Sequence, residues 1–478
     1  MRRPLVLALA VALLPAAGAH AEDLLQTYQL ARTGDPQLAA AESTRLATKE
    51  GAVQARALLL PQLDGTATLN RSRSTGPSTQ SQLDANGDPI QFTGDSETDR
   101  RSRSYGVNLD QAIFDYSRIS RLRSQNVLSH AADFQLRSAG DSLVTRTSQA
   151  YFNVLVAIET LAAAEASETA LKKQFDFASK RLEVGLAPIT DVHEARAQYE
   201  SARANTIVTR NALEDAYQAL AEITGQPVHQ LKGLPEDFKP SLPEERDADG
   251  WVAAAIANNP ALQAKQLQVQ STDIDIQTAR AGHLPTLYFN GSYGKSTTWG
   301  DNTFSSSNPP FSSTFPLDSE SRGPTFGLTL RVPIFSGGAV ASQVRQAIAQ
   351  RDVAADELEQ QKRALERNTR NSYQTLLAGI SEVEARRLAL VSARSAYSAS
   401  QVGLEVGTRT VIDVLINQQN LFNAQREFAL ARYNFLQNRL LLEQSAGTLE
   451  IGDVEDINRL LTVDAEAQLA PGDTTSNQ

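Results

Sequence analysis

Side chains suited to acid–base or metal chemistry gather at one point in this chain, at Asp191, His193 and Glu194. On a helix, residues two and three apart do not converge on one face, so the trio makes a poor metal cage. The other histidines beyond the first twenty residues, His130, His229 and His283, are scattered, and no H-E-x-x-H, phosphate loop or G-x-S-x-G occurs. The sequence therefore offers no catalytic residue, no cofactor-binding residue and no metal site. The expectation is a protein that is not an enzyme and uses no cofactor.

The elements around that point are more informative. Residues 1–21 start Met-Arg-Arg, continue with the apolar run Leu5 to Leu14 and end Ala19-His20-Ala21. That is the pattern of a signal peptide cut before Glu22. No run of 18 apolar residues follows, which excludes a helical membrane span. The chain has no cysteine, hence neither disulfides nor a lipidated N-terminal cysteine. Its formal charge is −10, and it becomes more negative without Arg2 and Arg3, which argues against a nucleic-acid partner. Aromatics are only 6% of the chain, a usage that favours long thin helices over a broad core.

The two halves match at a nearly constant offset of about 222 residues. Asp35-Pro36 pairs with Asn259-Pro260, Leu60-Pro61 with Leu284-Pro285, and Gly106-Val107-Asn108-Leu109 with Gly327-Leu328-Thr329-Leu330. Val184-Gly185-Leu186 pairs with Val406-Gly407-Thr408, and Ile223-Thr224-Gly225 with Ser445-Ala446-Gly447. The reading is repeat 1 over 22–225, a linker or equatorial segment over 226–250 and repeat 2 over 251–447. A second equatorial segment over 448–462 and a disordered tail over 463–478 complete it.

Each repeat carries one order of elements. The first has helices over 36–60, 115–184 and 188–225 and strands over about 61–74 and 101–114. The second has helices over 260–284, 336–405 and 410–446 and strands over about 285–298 and 322–335. The strands alternate strictly: Phe326, Leu328, Leu330, Val332 and Ile334 against Gly327, Thr329, Arg331 and Pro333. This is the pattern of a barrel strand, apolar to lipid and polar to lumen. Polar loops are expected between the strands, over roughly 75–100 and 295–322. The helices carry heptads: Val383, Leu390, Tyr397 and Leu404; Val192, Tyr199, Thr206, Leu213 and Leu220; and Val414, Leu421, Phe428, Phe435 and Leu442.

Four membrane strands cannot close a barrel, because the smallest common ones need about eight. An open edge in lipid leaves backbone groups unpaired, so copies of the chain must share one barrel. Three copies would supply twelve strands.

Val184-Gly185-Leu186-Ala187-Pro188-Ile189-Thr190-Asp191-Val192 and Val406-Gly407-Thr408-Arg409-Thr410-Val411-Ile412-Asp413-Val414 resemble the paired hairpin-tip motifs of the TolC family of outer-membrane efflux proteins. The resemblance covers about residues 22–450. It implies a homotrimer with a twelve-stranded β-barrel in the outer-membrane lipid, continued by an α-helical tunnel into the periplasm. A periplasmic adaptor and an inner-membrane transporter are the implied partners, and a passive exit duct for efflux or type I secretion is the implied function. By the same resemblance, Thr190, Asp191 and Arg409 fall on the periplasmic gate and Asp413 on a pore constriction. Val184, Gly185, Leu186, Val406, Gly407 and Thr408 fall on the adaptor-docking tips. The chain departs from the family's pattern at Leu404, where a gate tyrosine can stand, and at Ile416, where a second acidic ring residue can stand. From residue type alone, Asp191 also suits a helix cap and Gly185 and Gly407 suit plain turns.

The competing class is a structural or adhesive coiled-coil protein of the envelope, or an adaptor. Two internal strand hairpins, each embraced by helices, fit neither.

Overall fold

The computed structural model describes residues 23–83, 86–186, 188–242, 246–308 and 310–468. The signal-peptide reading of 1–21 and the end of the chain after Gln468 lie outside the described residues. The chain divides into two compact units. One comprises residues 47–130 and 267–356, and the other the described residues up to Leu46, 131–266 and those from Glu357 onward.

The first unit is built on an antiparallel sheet of β1 (Gln62–Leu83), β2 (Pro89–Phe114), β4 (Thr286–Ser307), β5 (Pro310–Pro316) and β6 (Ser319–Arg331). The order is β1-β2-β4, with β6 and β5 sharing the far edge of β4. Between these two lies Leu317, whose N–H donates to the Gly300 carbonyl at 2.8 Å. The β2–β4 ladder joins the two halves of the chain, from Asp95↔Ser305 to Phe114↔Leu287.

Register fixes the faces, since residues paired across an antiparallel ladder share a side. Leu63↔Leu109↔Gly291↔Phe326 form one row and Val107↔Tyr293↔Pro324 the next, with Phe289↔Leu328 and Leu287↔Leu330 towards the helices. The alternate rows are polar. Asn290 hydrogen-bonds Asp110, and the Thr329 hydroxyl donates to Asn290 at 3.2 Å.

Two expectations need correction here. Most of the segments read as polar loops are paired strand, since β1 runs to Leu83 and β4 to Ser307. Their Ser- and Thr-rich alternation has no hydrophobic contrast, so periodicity could not reveal it. The last strand ends at Arg331, not 335, because Pro285, next in register opposite Val332, and Pro333 beyond it have no N–H to extend the ladder.

The second unit is helical. It holds α1 (Leu24–Gly34), α4 (Ile189–Thr224), α5 (Ala248–Asn258), α8 (Val411–Ala446) and α9 (Ile451–Leu460). It also holds the larger parts of α3 (Tyr116–Glu183) and α7 (Ala339–Glu405). At 68 and 67 residues, α3 and α7 would each measure about 100 Å. α2 (Pro36–Ala57) and α6 (Pro260–Arg280) lead into β1 and β4. Of the heptad positions, Thr206, Leu213, Leu220, Val383, Val414, Leu421, Phe428, Phe435 and Leu442 are buried, while Val192, Tyr199, Leu390, Tyr397 and Leu404 are half-buried.

One cluster dominates this core, with Tyr151, Phe152, Leu155 and Ile158 of α3 against Tyr433, Leu436 and Leu440 of α8. A polar network runs through it, although the Arg432 Nε is buried without a hydrogen-bond partner. The Arg432 guanidinium meets Glu159 at 2.7 Å and the Pro235 carbonyl at 3.0 Å. The Tyr433 hydroxyl donates to Glu159 at 2.9 Å and accepts from the Leu234 N–H at 3.3 Å. Removing one member of such a pair strands a buried charge, at about 3–5 kcal/mol.

The segments between and after the repeats close around this core. β3 (Lys232–Gly233) pairs with β7 (Val463–Asp464), and Tyr151 both donates to the Lys232 carbonyl and accepts its N–H. Glu466 accepts from Tyr217 at 2.5 Å and from the Gln230 N–H at 3.0 Å. The expected tail of 463–478 is therefore structured at its start. The polarity of Asp464 and Glu466 concealed a role that depends on Tyr217 and Gln230, distant in sequence.

Where α9 docks on α8, burial and the neighbouring Asp453 push the Glu443 carboxyl up to about 7, against the pull of Arg439 at 3.3 Å. Asp453 is raised too, chiefly by burial. The folded state thus holds Glu443 protonated where the unfolded chain, with its ordinary value of 4.5, ionises. Stability from this group is intact below pH 4.5 and is lost as pH rises towards 7. Glu443→Gln should leave the melting temperature near wild type at pH 4.5 and raise it at pH 8, read by thermal denaturation at both values. A lower melting temperature at pH 8 would show that the Arg439 pair outweighs desolvation.

Candidate functional site

The hairpin tips are formed by the α3–α4 and α7–α8 turns. α3 stops in a left-handed glycine cap: Gly185 has φ +74°, its N–H donates to Leu182 O at 2.9 Å, and the Leu186 N–H reaches Arg181 O at 2.8 Å. The second turn repeats this, with Gly407 at φ +78°, its N–H on Leu404 O at 3.2 Å and the Thr408 N–H on Gly403 O at 2.8 Å. A Cβ at either glycine would meet nothing within 4 Å, so backbone conformation alone demands glycine here. Val184, Leu186, Val406 and Thr408 around them are exposed. Ala187 lies outside the described residues.

The charged candidates differ from one another. Asp191 stands in the first turn of α4, where a carboxylate meets the positive end of the helix. The cap position is Pro188, which makes no side-chain cap bond, so Asp191 is not spent on capping. Arg409 is exposed, and its aliphatic stem lies against Gly403. Among the described residues neither Asp191 nor Arg409 makes an ion pair or side-chain hydrogen bond, and the single chain does not bring the two together. Thr190 is exposed beside Asp191.

Asp413 is engaged. It forms a capping box with Thr410, accepting the Thr410 N–H at 2.9 Å and its hydroxyl at 2.8 Å. These bonds hold its carboxyl below the usual range, the backbone N–H contributing most. Leu404 is half-buried and Ile416 is exposed. Among the described residues no group of three His, Cys, Asp or Glu side chains could hold a metal, and this includes Asp191, His193 and Glu194.

The sheet supplies the second surface. Phe326, Leu328, Leu330 and Leu63 are all more than 60% exposed, and the row from Leu63 to Phe326 crosses three ladders. An apolar face of that extent is made for lipid. No helix of the described residues is long and apolar enough to cross a membrane. Sequence reading missed the cations bordering this face, Arg101, Arg103 and Arg322, because it placed all three at the starts of strands and weighed only the apolar positions that follow them. The signal was the shared phase of Arg101 and Arg103 with Tyr105 and Val107.

Two substitutions test these surfaces. Gly185→Ala or Gly407→Ala should cost about 1 kcal/mol through left-handed strain, while asparagine should cost less. Faster amide exchange at the altered tip checks this, and unchanged exchange would refute the glycine requirement. Leu328→Lys should destabilise the membrane-inserted state by about 2–4 kcal/mol, measured by denaturant titration in vesicles.

A family model described as "Outer membrane efflux protein" matches residues 27–226 and 251–448. Outer membrane protein TolC of Escherichia coli (strain K12) is 35% identical over 93% of this chain and 86% of its own length. The alkaline protease secretion protein AprF of Pseudomonas aeruginosa is 29% identical over 91% of this chain and 87% of its own. In fold, the chain is similar to the Campylobacter jejuni CmeC outer membrane channel, with a TM-score of 0.69 at 18% identity over 92% of this chain and 90% of that one. These likenesses, together with the lipid-type sheet face and the long helices, show that the chain belongs to the outer membrane efflux protein family and is an outer-membrane exit duct with a β-barrel and an α-helical tunnel.

Proposed function

We propose that three copies of this chain close a single twelve-stranded barrel and form the passive exit duct of a tripartite efflux or type I secretion system. One observation carries the reading: the sheet is apolar along one face, yet β1 and β5–β6 form edges with no strand partner among the described residues. In hydrocarbon each unpaired backbone group costs several kcal/mol, and a sheet four strands wide, β5 and β6 sharing one edge, is too narrow to close on itself. Sister chains satisfy both edges at once. The homotrimer is the smallest such assembly with room for a lumen.

Within it, Asp191 and Arg409 supply charged links between neighbouring coils at the periplasmic gate, with Thr190 beside them. Their lack of partners in the single chain supports this. Asp413, repeated around the axis, lines the constriction; its cap bonds converge on one carboxylate oxygen, and among the described residues no donor reaches the other. Val184, Gly185, Leu186, Val406, Gly407 and Thr408 present exposed apolar turns to a periplasmic adaptor, which opens the tip for an inner-membrane transporter. The chain itself performs no chemistry on its cargo.

Planar-bilayer recording tests the reading. The wild-type assembly should conduct weakly, Arg409→Ala should raise conductance several-fold, and Asp413→Asn should reduce cation selectivity. An intact trimer sealed after Arg409→Ala, or a compact water-soluble monomer on detergent extraction, would overturn it.

A further inference from the structure

The strands do not stop where the apolar rows stop. Above Val107↔Tyr293↔Pro324, on the side of the strand turns, the same face continues as Tyr105↔Lys295↔Arg322, then Leu69↔Arg103↔Thr297↔Glu320 and then Arg71↔Arg101↔Trp299. Its character turns there from aliphatic to mainly cationic and aromatic, with Leu69 and Glu320 at the flanks. We propose that Arg101, Arg103 and Arg322, with Lys295, Tyr105 and Trp299, bind the phosphorylated headgroups of anionic lipid in the outer leaflet.

Several observations support a binding surface over a merely solvated one. Arg71 pairs with Asp99 at 2.7 Å and Lys295 with Glu320 at 2.9 Å, but Arg101, Arg103 and Arg322 have no ion-pair partner among the described residues. All three are exposed. Arg103 lies 5.8 Å from the centre of the Tyr105 ring and 6.0 Å from that of Trp299, which orients its guanidinium and leaves its N–H edges for a ligand. Tyr105, Lys295, Arg322 and Pro324 line one shallow depression. Guanidinium groups match phosphate bidentately, and aromatic rings favour the headgroup level of a membrane.

Continuity decides the occupant. The cations begin one row above an apolar stripe, so a ligand with phosphate at that height and acyl chains below satisfies both. A free anion satisfies only the upper half. The inference rests on the reading that this sheet lies in the outer membrane.

The test uses the full-length protein in neutral detergent, titrated with diphosphorylated lipid A, monophosphorylated lipid A or phosphatidylcholine, with bound lipid read by native mass spectrometry. Retention should fall in that order and weaken with salt. Replacing Arg101, Arg103 and Arg322 by Gln should cut lipid A retention about fivefold, while Lys at all three, which keeps the charge but loses the bidentate fork, should cut it about twofold to threefold. Phosphatidylcholine retention should not change. Undiminished lipid A binding by the glutamine variant overturns the proposal, and so does displacement of lipid A by millimolar inorganic phosphate, which would make this a site for phosphate alone. Planar-bilayer conductance separates the two readings, since a variant that conducts normally but has lost lipid A leaves the duct standing. If the triple glutamine variant fails to insert, Arg103→Gln and Arg322→Gln singly should each lose about twofold, and no loss in either sinks the idea.

Discussion

A backbone N–H or carbonyl in hydrocarbon has no water to turn to, and the organisation of the strand unit follows from that constraint. It explains why the two hairpins, separated by long helical stretches, pair directly through the β2–β4 ladder. It leaves two open edges that one chain cannot close. Sheet pairing between segments nearly two hundred residues apart is costly in chain entropy. It is sustainable here because each hairpin is first a local ladder, with 22 residues in β1 facing β2.

The helical unit solves a different problem. A tube wall has water on the inside and outside, so it cannot rest on a thick apolar core. Burial is confined to single heptad seams, with one larger cluster where α3, α8 and the short peripheral elements meet. Several long-range polar bonds also converge there. Tyr151 braces β3, Glu159 holds Arg432 and Tyr433, and Glu466 joins Tyr217 to the segment after α4. These bonds specify where the peripheral strands and helices dock, which hydrophobic contact alone would leave loose.

Much of this was legible in the residues. Strict alternation at 326–334, Leu-Pro stops, heptads and the Val-Gly turns each follow one physical rule within a short window. The features that stayed hidden depend on partners far away in sequence. The Ser- and Thr-rich strand extensions look like loops until a neighbouring ladder exists. The pairing of Val463–Asp464 with Lys232–Gly233 carries no pattern in two residues. α1, α5 and α9 are too short for periodicity, although Asp23 with Gln26 and Glu450 with Asp453 already spell capping boxes. At the tips, the glycines and their conformation followed from residue type, whereas Asp413's cap with Thr410 competes with its family-implied role and needed geometry to be seen.

The distribution of charge pairs bears on how such a duct can open. Arg432 and Glu159 are buried, their side chains 4% and 15% exposed, so separating them would strand a charge at a cost of several kcal/mol. The charges at the tips are of the opposite kind: Arg409 is exposed, Asp191 is partly so, and neither is committed within the chain. Pairs made from such residues across a subunit boundary are weak, because water replaces each partner when they separate. Under the proposed gate role, a latch built from them would hold the coils together while an adaptor is absent and would yield to modest binding energy. Had pairs like Arg432 and Glu159 stood at the tip, separating them would have stranded buried charge at several kcal/mol each, and the core of the helical unit would have been held only by weak pairs.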